Sequence, residues 1–173
     1  MPSLPLRVVA DIDAFAGDAP QADDLTILSF EWSLPVHTLD VPNDDRNLEQ
    51  IFELLERVVG DVVARGLATS HLLFELKMVC EELFVNVCRY GAPDGRTLAV
   101  HLALSVDEMG RRVFVTLRDD GIAYDPLSHE VRLPTLEGPV GGLGIHLVLK
   151  SVDEASYERD GDQNVLRLVK SFV

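Results

Sequence analysis

Two pairs of short alternating segments constrain the fold of this 173-residue chain more than any other feature. In the first pair, residues 97–106 and 112–118 alternate apolar and polar side chains and are joined by a short turn that contains a glycine. In the second pair, residues 155–158 and 165–172 flank a turn at residues 160–162. Because strands joined by tight turns must run antiparallel, the sequence predicts a largely antiparallel sheet.

Segments with helical spacing of apolar residues lie on either side of the first strand pair. Residues 37–41 are typical of a short strand, and the polar residues 43–45 favour a helix start directly after it. A second helix is predicted from Ser70, as its cap, to the breaker at 91–93, and a third over 143–152. This order predicts an α+β fold, a two-layer α/β sandwich in which about three helices cover one face of a mixed, largely antiparallel sheet.

The composition excludes several classes of function. A hydrophobic content of 47% supports a packed core, and a net charge of −14 disfavours nucleic acid and anionic membrane as direct partners. A basic protein partner or a nucleotide held with a divalent cation fits this charge better, although acidity that only aids solubility fits equally well. Cys80 and Cys88 lie about 12 Å apart along one predicted helix, which is too far for a disulfide and indicates a reducing, cytoplasmic compartment.

The first candidate cluster lies on the second predicted helix. Glu82 and Asn86 are four residues apart and therefore share a helix face. The amide oxygen of Asn86 is a suitable ligand for Mg²⁺, and Glu82, one turn earlier, could polarise a water or a hydroxyl group. The alternative is a solvated Glu82 and an Asn86 that packs against a loop.

The second candidate cluster follows a predicted strand directly. Asp119 at the strand end could accept a hydrogen bond from an exocyclic amine such as that of adenine. Gly121 would let the backbone approach a ring closely. An ordinary acidic turn explains the same residues.

The third candidate cluster is a glycine-rich segment that leads into the third predicted helix. Free backbone N–H groups near Gly142 and Gly144 would form an anion site for phosphates at a helix start. The alternative is a flexible hinge.

The order of these clusters resembles the GHKL (Bergerat-fold) ATPases, and within them the RsbW/SpoIIAB-type serine kinases that act as anti-sigma factors. The resemblance covers residues 36–173, and we place the ATPase domain at 33–173. It implies that Glu82 is the catalytic base and that Asn86 binds Mg²⁺. The residues that it assigns to ATP are Asp119, Gly121, Gly142, Leu143 and Gly144.

Two residues depart from that family pattern. Ala123 occupies the position of a second glycine in the motif that begins at Asp119, and Tyr90 stands where a histidine is common. The segment between the glycine motifs is also short, so the lid over the nucleotide would be small.

Residues 1–32 differ in character from the rest of the chain. Residues 17–28 resemble the closing strand of SpoIIE/RsbU-type serine phosphatases, in which the aspartate that matches Asp23 helps to hold a metal ion. About thirty residues cannot build that domain. We therefore expect a remnant of a phosphatase domain, whose strand pairs with an available sheet edge or with a second copy of the chain, as in a homodimer.

These features predict an ATP- and Mg²⁺-dependent serine/threonine protein kinase that acts on an anti-anti-sigma (STAS) partner and binds a sigma factor. The alternative is a catalytically weak nucleotide-binding module that regulates an attached phosphatase. The ATPase part of a sensor histidine kinase is a third hypothesis, which is disfavoured because no phosphoacceptor helix pair precedes the domain.

Overall fold

The computed structural model describes residues 33–128 and 143–173, and Leu34–Val173 forms one compact unit. Its strands are β1 (His37–Pro42), β2 (Ala99–Asp107), β3 (Arg112–Asp119), β4 (Glu154–Asp160) and β5 (Gln163–Ser171). Its helices are α1 (Leu48–Ala64), α2 (Ser70–Tyr90) and α3 (Leu143–Ser151), and a 3-10 turn, Asp45–Asn47, precedes α1.

The strands form one five-stranded sheet in the order β1-β2-β3-β5-β4. Every pairing within this sheet is antiparallel, including β2–β3 and β4–β5, the two that the turn-linked segments predicted, so the described strands contain no parallel pair of the mixed sheet that was expected. Because β5 lies between β3 and β4, Asn164 on β5 is directly opposite both Asp119 on β3 and Arg159 on β4. Directly opposed residues point to the same face of a sheet, so these three side chains form a row across the strands.

One face of the sheet carries the core. Strand β2 buries alternate residues, Val100, Leu102 and Leu104, because successive side chains of a strand point to opposite faces. Helix α1 buries a stripe of apolar residues at helical spacing, and these side chains join those of β2 and α2 in a single cluster. The predicted α+β sandwich is confirmed.

The structure corrects one predicted helix boundary. Ser70 was expected to cap α2, but it is the first helical residue, and the cap position belongs to Thr69, which makes no side-chain capping hydrogen bond. The polar start predicted before α1 is present, since the Asp44 carboxylate accepts a hydrogen bond of 3.0 Å from the backbone N–H of Arg46. No helix in the described part of the chain is long and apolar enough to span a bilayer.

Some predictions concern residues outside the described ranges. The phosphatase-like segment 1–32, the pairing of its apolar strand and the position of Gly142 all belong to this group. They stay predictions.

Candidate functional site

A cavity of about 490 Å³ lies between α2, α3 and the ends of the central strands. Glu82 and Asn86 line it from α2, Asp119 from the end of β3, and Gly144 from the first turn of α3. The sequence predicted that these residues, from three separate segments, would surround one site, and the structure brings them together. Leu143 begins α3 beside them, and Gly142 lies outside the described residues.

Helix α2 gives the cavity its length. At one end, the carbonyl of Gly91, which follows α2, accepts a hydrogen bond of 2.9 Å from the backbone N–H of Ile122 in the segment after β3. At the other end, Glu82 packs against Gly144. With a rise of 1.5 Å per residue, these two ends are separated by about 13 Å along the helix, and Asn86 lies between them. The cavity is therefore elongated, with Asp119 and Glu82 near opposite ends.

Asp119 is a buried carboxylate, only 6% exposed, at one end of the cavity. Its Oδ1 atom accepts hydrogen bonds of 2.9 Å from the backbone N–H of Gly121 and from Nδ2 of Asn164. Its Oδ2 atom accepts none from the described residues and is left for a ligand. Burial raises the pKa of Asp119, and this effect outweighs the two hydrogen bonds and the nearby charge of Arg159, which lower it.

Gly121 donates a backbone hydrogen bond to Asp119 and is not among the described residues that line the cavity. A Cβ atom on Gly121 would lie 2.7 Å from Oδ1 of Asp119 and 2.8 Å from the carbonyl oxygen of Gly91. The sequence predicted that a bound ring would approach Gly121 itself. In the structure Asp119 and Gly91 already approach Gly121 closely, so a side chain at position 121 would displace the carboxylate; the approach of a ring stays a prediction.

Glu82 and Gly144 are in close contact at the other end of the cavity. A Cβ atom on Gly144 would clash with the Glu82 carboxylate, at 2.8 Å from its Cδ atom. Glu82 makes no ion pair or hydrogen bond with the described residues, so its carboxylate is available to a ligand. The Glu82 carboxylate therefore occupies the space that a side chain at position 144 would need.

Asn86 is half-buried in the cavity wall, and its amide has no hydrogen-bond partner among the described residues. The described residues also contain no cluster of three or more His, Cys, Asp or Glu side chains suited to a metal. A cation here would need most of its ligands from a bound molecule and from water. Mg²⁺, which keeps several waters and shares phosphate oxygens, is the cation that fits one protein amide oxygen.

The sequence did not single out Arg89 as a site residue. Arg89 lines the cavity, and it forms no ion pair with the described residues in a chain whose net charge is −14. An unpaired cation at the wall of a cavity suits an anionic ligand. Its position three residues after Asn86, close to the same helix face, was the available signal.

The aromatic side chains of the cavity were also missed as a group. The chain has three tyrosines, and Tyr90, Tyr124 and Tyr157 all line this cavity. Tyr90 is 64% exposed at the rim. Flat aromatic side chains beside a buried acceptor suit a planar ligand with an amino group, because rings stack and the acceptor fixes their orientation.

Comparison with known proteins agrees with this geometry. The model of a family described as the histidine kinase-like ATPase domain matches residues 43–170, which is most of the chain. That match includes every cavity residue discussed above. No curated protein matches the chain as a relative. A two-layer α+β sandwich with an elongated cavity and this family match lead to one conclusion: the chain belongs to the histidine kinase-like ATPase domain family.

Proposed function

We propose that this domain binds ATP with Mg²⁺ and transfers the γ-phosphoryl group to a serine or threonine of a STAS-like anti-anti-sigma protein. The observation that carries the proposal is the convergence of Glu82, Asn86, Asp119 and Gly144 on one cavity. A nucleotide-binding, kinase-like domain follows from the family; the protein substrate is the part that we propose.

The adenine base would lie at the Asp119 end of the cavity, and the phosphates would lie toward Glu82. Oδ2 of Asp119 would accept a hydrogen bond from the 6-amino group of adenine, and Tyr90 and Tyr124 would flank the ring. Asn86, about 6 Å further along α2 than Glu82, would hold the cation near the phosphates. Mg²⁺ would neutralise charge on the phosphate oxygens.

The other end of the cavity would hold the reacting groups. The first turn of α3 would contact phosphate oxygens there, and Arg89, which lies between Asn86 and the Gly91 end, would offer its charge to the part of the nucleotide nearer the base. The carboxylate of Glu82 would accept the proton of the attacking hydroxyl group. A bond would form between that oxygen and the γ-phosphorus, the bond to the β,γ-bridging oxygen would break, and ADP would leave. Phosphoryl transfer depends mainly on positioning and charge, so few side chains suffice.

The partners follow from the proposed family role. We propose that the domain also binds a sigma factor, that residues 1–32 are the remnant of a phosphatase domain, and that two copies of the chain can pair through that segment. The expected location is the cytoplasm.

A second candidate function is a module that binds ATP or ADP and regulates a partner without phosphoryl transfer. Ala123 in place of a family glycine favours it, and so does the short segment between the glycine motifs, because a short segment would form only a small lid over the nucleotide. Glu82 in the same cavity favours the kinase.

Binding of ATP tests the site first. We expect Asn86→Ala to weaken Mg²⁺-dependent ATP binding greatly in calorimetric titration, while binding without Mg²⁺ changes little. Asn47→Ala is the control, because it removes the same kind of side chain from the turn before α1, outside the cavity. Equal affinities in the wild type and Asn86→Ala would remove Asn86 from the site.

Transfer of labelled phosphate to a STAS protein separates the two functions. We expect Glu82→Gln to abolish transfer with little change in ATP affinity. Its neighbour Glu81 is exposed and does not line the cavity, so Glu81→Gln should transfer at the wild-type rate. Tight ATP binding without transfer in the wild type would support the regulatory module.

A further inference from the structure

The side chain of Asn164 is the most heavily hydrogen-bonded amide next to the cavity, and it is only 7% exposed. Its Nδ2 atom donates to Oδ1 of Asp119 and to the carbonyl oxygen of Ile122, both at 2.9 Å. Its Oδ1 atom accepts from the hydroxyl of Tyr157 and from Nη1 of Arg159, both at 2.9 Å. The backbone N–H of Tyr124 donates a fifth hydrogen bond, of 3.2 Å, to the same oxygen.

These partners fix the orientation of the amide. A guanidinium and a backbone N–H can only donate, so Oδ1 must face Arg159 and Tyr124. A backbone carbonyl can only accept, so Nδ2 must face Ile122. Both hydrogens of Nδ2 are used, and Oδ1 already has three donors. Asn164 therefore has no donor left for a nucleotide and acts on a ligand through Asp119.

We propose that Asn164, held by Tyr157 and Arg159, is the positioning residue that turns Asp119 toward the 6-amino group of a purine and so sets the preference of the site for adenine. The inference rests on the proposed ATP site. The geometry supplies the reason: Asn164 and Gly121 both donate to Oδ1 of Asp119, a residue that lines the cavity, and Oδ2 is the carboxylate oxygen that accepts no hydrogen bond from the described residues.

The row across the sheet holds this arrangement. Arg159 lies directly opposite Asn164, and its Nη1 atom also donates to the carbonyl oxygen of Gly121 at 3.0 Å. Arg159 thus links Asn164 to the same glycine that supports Asp119 from behind. Its positive charge lowers the pKa of Asp119 against the effect of burial. An ionised Oδ2 can accept hydrogen bonds but cannot donate them. It can therefore bind the 6-amino group of adenine, which donates, and it repels a 6-oxo group, which only accepts.

Inosine triphosphate tests the proposal, because it carries a 6-oxo group where ATP has the 6-amino group. We expect the wild type to bind ATP about 10-fold or more tightly than inosine triphosphate in the presence of Mg²⁺, as one charge-assisted hydrogen bond allows. In Asn164→Ala, the ratio of the two dissociation constants should fall to within about 3-fold of unity. The affinity for inosine triphosphate should change little.

A milder variant keeps the test independent of folding. Tyr157→Phe removes one of the donors to Oδ1 of Asn164 and retains the ring in the cavity, so we expect an intermediate ratio. Asn47→Ala is the control: it removes two side-chain hydrogen bonds of an asparagine outside the cavity, and it should keep the wild-type ratio even if the melting temperature falls.

The outcomes separate the two levels of the argument. A wild type that binds neither nucleotide would overturn the proposed function and this inference with it. A wild type that prefers ATP, together with an unchanged ratio in Asn164→Ala and Tyr157→Phe, would leave the ATP site in place and overturn only the role of Asn164.

Discussion

Asp119→Asn should reverse the base preference of the cavity without disturbing the fold. The introduced amide oxygen can accept the two hydrogen bonds that Oδ1 now accepts from Gly121 and Asn164, each 2.9 Å long. If the introduced amide were flipped, its NH₂ group would face two other hydrogen-bond donors, the backbone N–H of Gly121 and Nδ2 of Asn164. The NH₂ group therefore takes the place of Oδ2 and faces the cavity, where it can donate to a 6-oxo group but not accept from a 6-amino group.

The size of the effect follows from the bond that is lost. A hydrogen bond to a charged group contributes about 1.5–3 kcal/mol. At about 1.4 kcal/mol per tenfold change, ATP affinity should fall about 10- to 100-fold. Inosine triphosphate should bind the variant at least as tightly as it binds the wild type. Titration of both nucleotides in the presence of Mg²⁺ measures the two changes directly.

The same substitution should stabilise the protein at neutral pH. The pKa of Asp119 is raised from its ordinary value of 3.8, mainly by burial, so folding opposes its ionisation. The free energy of unfolding of the wild type therefore falls as the pH rises from the ordinary pKa of the aspartate through its raised pKa in the folded protein. The introduced amide does not titrate, so the stability advantage of the variant should grow across that window and then level off.

Urea unfolding at several pH values between about 4 and 7, beside the nucleotide titrations, checks both effects. An Asp119→Asn variant that still prefers ATP by the wild-type margin would show that Oδ2 does not contact the base. A stability advantage that shrinks as the pH rises would contradict the assigned direction of the pKa shift.

Three further perturbations address other parts of the domain. Gly144→Ala should displace the Glu82 carboxylate and slow phosphoryl transfer roughly 100-fold, with a much smaller loss of ATP affinity; equal losses in both measurements would contradict this. Glu75→Ala breaks a largely buried ion pair of 3.0 Å with Lys170 that joins α2 to β5, and urea unfolding should show a loss of about 1–3 kcal/mol. Leu55→Ala, in the core face of α1, should cost about 2–5 kcal/mol with unchanged ATP affinity in the folded variant, and a smaller cost would mean that the core can close over the gap.

The sequence by itself determined the helices, most of the strands and the spacing within α2. Apolar periodicity and breakers act over a few residues, so the end of α2 at Tyr90 could be predicted from the residues 91–93 that follow it. Glu82 and Asn86 share a face because four residues make about one helical turn, whatever the rest of the chain does. The assignment of Asp119 and Gly144 to the same cavity came from resemblance to a family, since no local pattern connects segments so far apart.

Only the tertiary structure decided what surrounds those residues. Asn164 meets Asp119 across 45 residues of sequence because β5 inserts between β3 and β4 and sets a particular register. Strand order and register depend on how the whole sheet packs against the helices, and a single strand sequence does not encode its neighbours. For the same reason, the contact of Gly144 with Glu82 and the placement of Gly121 behind the carboxylate emerged only when the segments were assembled. The chemical type of each site residue is visible in the sequence, but the residues that orient it come from distant segments of the chain.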